Sequence, residues 1–181
     1  MILLTILTLP ACSTITAVSA NQPAESSVSN SLVTQNTTDA PSAYGAAAAL
    51  KDSNLKLDKM LEYAIEDEYL AHAEYEYIIQ TYGNQKPFSN IILAEEKHIG
   101  MLTPLFTKYQ AVLPQNQAKS LVPHPQSLKE ALEAGVQAEI ANIAMYENFL
   151  KLQLPDEIRV VFTQLKEASQ SHLAAFKRGN I

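Results

Sequence analysis

Residues 94–102 read AEEKHIGML, and within that run Glu95 and His98 stand three apart. On a helix this spacing puts a carboxylate and an imidazole on one face, a turn from each other, where both can reach one ligand. A Glu from one helix, with Glu and His three apart on another, is the set that holds paired iron or manganese ions in bundle cores. Other helical stretches carry polar groups in comparable places: Glu68 in one, Glu139 and Asn142 in another, Ser169 and His172 in a third.

These groups sit on four apolar stripes with alternating steps of four and three, which place each set on one helix face in the seam geometry of a bundle. The first runs Leu57, Leu61, Ala64, Glu68, Ala71, Tyr75, Ile78, Tyr82, and the second Phe88, Ile91, Glu95, His98, Leu102, Leu105, Tyr109. The third is Leu128, Leu132, Gly135, Glu139, Asn142, Tyr146, Phe149, and the fourth Ile158, Phe162, Leu165, Ser169, His172, Phe176. A break at residues 83–87 makes the first two helices antiparallel neighbours. Ser127 with Glu130 forms a capping box, Pro155 with Asp156 and Glu157 opens the fourth helix, and Pro104 predicts a kink in the second. Residues 110–126 can span roughly 55 Å extended, longer than any of these helices, so the second and third can run parallel. Short, long, short is the connectivity of a ferritin-like bundle, and the fold class is all-α: an antiparallel four-helix bundle with a long crossover between helices 2 and 3.

Each stripe is apolar toward its ends and polar near its middle, and the depths agree, so the polar groups should meet. Three carboxylates in an apolar core are strongly destabilising through desolvation and mutual repulsion. No Lys or Arg lies on any stripe, which leaves protons or a metal cation to neutralise them. Read one at a time, the residues allow plainer roles: His172 as a hydrogen-bonded core histidine, and Glu68 as a seam residue paired with His72 at i+4. Tyr75 and Tyr146 each follow a glutamate by seven positions, Glu68 and Glu139, and make the two halves pseudo-symmetric. They are either core aromatics or redox participants, and their hydroxyls need partners in both cases.

Composition narrows the function classes. Thirteen basic against 19 acidic residues give a net charge of -6 with no basic run, which argues against nucleic acid and against an anionic membrane surface; metal ions and small ligands suit it better. The opening MILLTILTLPAC is apolar and ends in the only cysteine, Cys12, so no internal disulfide can form. The stretch resembles the lipobox of bacterial lipoprotein signal peptides, in which the cysteine carries the lipid; cleavage after Ala20 with ordinary secretion is a second reading, and a retained membrane-embedded helix a third, disfavoured because about 10 apolar residues fall short of the roughly 20 a span needs. By that resemblance, Ser13 would direct the lipoprotein to the outer membrane. The organisation expected is a signal peptide over 1–20, a flexible polar tether over 21–54 with a short helical turn at AAAAL (46–50), and the bundle over 55–178.

The segments LEYAIEDEYLAHAEYEYIIQTYG, FSNIILAEEKHIGML, EALEAGVQAEIANI and LKEASQSHLAAF together resemble the ferritin-like superfamily, and within it the family called domain of unknown function 2202. The resemblance covers about residues 55–178. The wider superfamily includes rubrerythrin-like proteins and implies a di-iron or di-manganese site that reacts with oxygen or peroxide, or oxidises ferrous iron. Matching positions make Glu68, Glu95, His98, Glu139 and His172 the metal ligands, with one or two ions of iron or manganese as cofactor and zinc as a further candidate. His72, Tyr75, Asn142, Tyr146 and Ser169 surround them. The chain departs from the full pattern at Ser169, where a carboxylate would complete a second Glu-x-x-His, and at Asn142, where some relatives place an extra acid. One metal position is therefore expected to be well ligated and the other poorly. The functions this implies are an exported ferroxidase or peroxide-reducing oxidase, a non-catalytic metal-binding or sensing protein of the envelope, or a metal-free helical interaction module. The only membrane contact implied is through a lipid, and a homodimer is compatible with all three.

Overall fold

Long uninterrupted helical periodicity on either side of two short breaks produces two helical hairpins. The computed structural model describes residues 44–179, and among these every regular element is helical: α1 (Gly45–Ala49), α2 (Leu57–Tyr82), α3 (Phe88–Lys108), α4 (Leu128–Leu150) and α5 (Asp156–Gly179). A single 3-10 turn, Ala118–Ser120, interrupts the link between α3 and α4. Among the described residues no helix is long and apolar enough to cross a membrane. The signal segment 1–20, Cys12 and the tether up to residue 43 lie outside the described residues.

Two apolar cores cap the ends of the bundle and fix its topology. At one end Tyr75 and Ile78 from late α2 meet Phe88 and Ile91 from early α3, Ala131 and Leu132 from early α4, and Phe176 from late α5. At the other, Leu61 and Ile65 meet Leu102, Leu105 and Phe106, with Tyr146, Phe149, Ile158 and Phe162. Both α3 and α4 therefore start at the same end and run parallel, while α2/α3 and α4/α5 are antiparallel hairpins. This is the ferritin-like arrangement, with the long link returning along α2, against which its 3-10 turn packs. Gly135 allows a close approach within the α4/α5 hairpin: a methyl at that position would lie 2.7 Å from the Phe176 ring.

Local signals act at the boundaries. The Ser127 hydroxyl accepts from Glu130 N–H at 3.1 Å, but the Glu130 carboxylate reaches back to Gln126 N–H at 2.8 Å, one residue beyond a standard capping box. Pro155 supplies the carbonyl that accepts from Arg159 N–H as α5 begins. Helix α3 continues through Pro104, and Thr103 Oγ1 donates to the Ile99 carbonyl beside it at 2.7 Å.

The tether boundary at 54 needs correcting. Residues from Tyr44 onward are part of the folded unit: Tyr44, Ala46 and Ala49 are buried, and α1 lies on α2 and α4. Small side chains let this short helix seat closely, and two backbone donors hold it. Gly45 N–H donates to Glu66 Oε2 at 3.1 Å and Ala46 N–H to Asp67 Oδ1 at 2.7 Å. Gly45 has a φ of 55°, and a side chain there would meet Asp67, so glycine is required twice over.

Candidate metal centre

Between the two apolar cores lies a polar layer to which all four long helices contribute. Glu68 comes from α2, Glu95 and His98 from α3, Glu139 and Asn142 from α4, Ser169 and His172 from α5; all seven are buried, Glu95 being only 2% exposed. Alternation of four and three in each helix brings these side chains to the bundle axis at one depth.

The layer contains two groups of three potential ligands. In one, His98 Nδ1 lies 2.7 Å from Glu95 Oε2 and 3.1 Å from Glu68 Oε2. In the other, His172 Nδ1 lies 3.3 Å from both Glu95 Oε1 and Glu139 Oε1. Within each group the donor atoms are all within 4.8 Å of one another. Glu95 turns one oxygen to each group, and the two imidazoles stack across it with ring centroids 5.7 Å apart. Each half therefore holds two carboxylates and one imidazole. This differs from the expected good and poor positions: Glu95 serves both halves, so lacking an acid at 169 does not leave one half short of three donors.

The tyrosines cross between the halves. Tyr75 donates to Glu139 Oε1 at 3.2 Å and Tyr146 to Glu68 Oε1 at 2.9 Å, so each bonds the glutamate that belongs to the other hairpin. Both phenols are held well above the usual tyrosine range by burial and by neighbouring carboxylates, and stay protonated donors.

Protons neutralise the layer when no cation does. Burial, followed by the charge of Glu95, pushes Glu68 up to about 8. Glu139 is raised to about 7, also by burial, with His172 opposing. Burial disfavours charge on the imidazoles, but bonds to Glu68 and Glu95 outweigh it at His98 and push it up to about 10; bonds to Glu139 and Glu95 do the same for His172, to about 9. Glu95 is the fixed anion: burial raises it, but hydrogen bonds from His172 and His98 win and hold it at about 2. Both escapes from carboxylate repulsion thus use the same atoms, and a cation can take the place of protons at each.

Ser169 and Asn142 make up the rest of the layer. Ser169 Oγ lies 2.6 Å from Asn142 Oδ1, and Asn142 Nδ2 donates to Asp67 Oδ2 at 2.6 Å. Glu167 is exposed and does not replace the missing acid. His72 is not Glu68's partner: its Nε2 lies 3.5 Å from Glu96 Oε1, near the surface, while the oxygens of Glu68 engage Tyr146 and His98. Asp67 is the residue that stripe reasoning missed. It lines the same small cavity of about 10 Å³ as Glu68, Glu95 and Glu139, and burial raises it to about 6 against the bonds from Ala46 and Asn142.

A ferritin-like four-helix bundle with a buried layer of carboxylates and imidazoles is the class that fold and site define. The chain belongs to the rubrerythrin family, whose family model matches residues 59–179. Among solved structures it is similar to a hypothetical protein from Methanococcus jannaschii DSM 2661, with a TM-score of 0.61 and 22% identity, covering 71% of this chain and 83% of that one. At that identity the likeness speaks to fold alone. No curated protein matches the chain. The donor set fits the di-metal binding that a rubrerythrin domain suggests: oxygen and imidazole nitrogen ligands, convergent and buried, with no Lys or Arg paired to them among the described residues.

Proposed function

We propose that the protein is an exported di-metal carboxylate protein that oxidises ferrous iron or reduces peroxide. The single observation that carries this is the pair of three-donor groups sharing Glu95 in a buried layer. Glu68, Glu95 and His98 would hold one iron or manganese ion, and Glu95, Glu139 and His172 the other. Bound metal supplies the electrons for reaction with oxygen or peroxide. The chain's own contribution is to orient and insulate. Tyr146 fixes the outer oxygen of Glu68, Tyr75 holds the Glu139 oxygen that faces His172, and the apolar cores above and below exclude water. Export and a lipid on Cys12 are supported by the LPAC sequence, and kinship with the domain of unknown function 2202 by the four segments that resemble it.

Ser169 and Asn142 favour a second reading, in which metal is bound or sensed without turnover, because they leave the layer with fewer acids than a complete di-iron pattern. Elemental analysis of protein taken from its native compartment, followed by stopped-flow oxidation of added ferrous iron, separates the two. Iron or manganese with a rate above buffer supports the oxidase; tight binding with no rate supports the second reading. Protein that neither carries nor takes up metal defeats both.

A further inference from the structure

On the side of the centre covered by α1 lies a second cavity of about 60 Å³, between α1, α2 and α4. Its walls are mainly alanine, and its polar groups are Tyr44, Asp67 and Glu74. Asp67, Ala71 and Ala138 line both this chamber and the cavity of the metal centre, so the two adjoin. Glu74 is 4% exposed, yet its Oε1 has no hydrogen-bond partner among the described residues, and neither has the Tyr44 hydroxyl. A buried polar atom without a partner costs about 1–3 kcal/mol, more when charged, so an orphaned carboxylate facing a cavity calls for a visitor. A single water needs roughly 10–15 Å³ of such space, which leaves this chamber room for an ion with part of its hydration shell.

We propose that this chamber is a staging site for divalent cations bound for the centre: Glu74 and the Tyr44 hydroxyl take a partly hydrated ion, and Asp67, common to both cavities, passes it inward. The inference rests on the metal-centre reading. A group on the route, unlike a ligand, changes the rates of loading and release by one factor and leaves the equilibrium alone.

The test is cobalt(II) uptake by the metal-free full chain, followed by visible absorbance, with release into excess chelator measured in parallel. Glu74→Gln keeps the shape and removes the carboxyl ligand; uptake and release should both slow, on the order of tenfold, at unchanged final cobalt content. Ala141→Met, which narrows the chamber without touching the centre, should also slow both. Uptake by Glu74→Gln at the wild-type rate overturns the proposal and makes the chamber a water pocket. Slower uptake with proportionally weaker affinity also overturns it, because Glu74 would then support the centre itself. Wild-type protein that takes up no cobalt at equilibrium overturns the metal-centre reading, and this inference falls with it.

Discussion

Replacing Ser169 with glutamate supplies the acid that a second Glu-x-x-His would have, on the face that also carries His172. Ser169 is buried, and the adjoining cavity is only about 10 Å³, so the longer side chain must displace its neighbours. Losing the bond to Asn142 costs about 1 kcal/mol and overpacking about 1–3 kcal/mol. The added carboxyl escapes most of the charge penalty by binding a proton. Metal-free Ser169→Glu should therefore be about 2–4 kcal/mol less stable than wild type in urea melts. With manganese or ferrous ion present the deficit should shrink, because the new ligand strengthens binding; at saturating metal each tenfold gain in affinity over wild type returns about 1.4 kcal/mol. Urea midpoints with and without metal, together with metal content by mass spectrometry, make the comparison. Unchanged metal-free stability with unchanged metal content would refute the placement of residue 169 beside the carboxylates.

Glu95→Ala removes a donor from both groups and should bring bound metal close to zero, whereas Glu139→Ala should keep roughly one ion per chain, read by elemental analysis. Equal losses in the two variants would show that Glu95 is not shared. In metal-free protein, Glu68 at about 8 and Glu139 at about 7 lie above the 4.5 of ordinary glutamate. The folded state then holds more protons than the unfolded chain, so stability should fall as pH rises from about 4.5 to 8. His98 at about 10 and His172 at about 9, against 6.5, extend the decline to higher pH; Glu95 at about 2 acts oppositely, only below about 4.5. Thermal melts across pH should show this decline, with the metal-induced gain in Tm growing over the same range; a metal-free Tm that rises from pH 5 to 8 contradicts the protonated layer. Gly135→Ala drives a methyl against the Phe176 ring and should cost about 1–3 kcal/mol in a urea melt, while an unchanged midpoint would mean that the α4/α5 approach is looser than 2.7 Å implies.

What could be read from sequence was whatever faces the bundle axis. The buried residues of α5 are Ile158, Phe162, Leu165, Ser169, His172 and Phe176, the same residues as its stripe, because that helix buries a single face. On α3 the stripe holds from Phe88 to Leu105, with Phe106 buried in addition. Reading failed on α2, which is also covered from behind by α1 and the long link. Glu66, Leu70, Ala73 and Glu74 are buried there, although their spacing from the stripe assigns them to solvent. Nothing within α2 reveals a second cover, and the cover itself is inconspicuous: GAAAA has no large apolar side chain and is held by backbone donors to Glu66 and Asp67. Asp67 and the chamber behind it were hidden for the same reason.

The crossed tyrosines bear on how the protein matures. Glu68 waits for a hydroxyl carried on α4, and Glu139 for one carried on α2, while the second group of ligands draws on α3, α4 and α5 together. A nascent chain that has made only its first hairpin holds Glu68, Glu95 and His98 but lacks Tyr146. The first hairpin carries one three-donor group without its tyrosine, and the second group needs both hairpins, so full loading belongs to the completed chain, and the second ion becomes a record of how many molecules in a preparation have docked both halves.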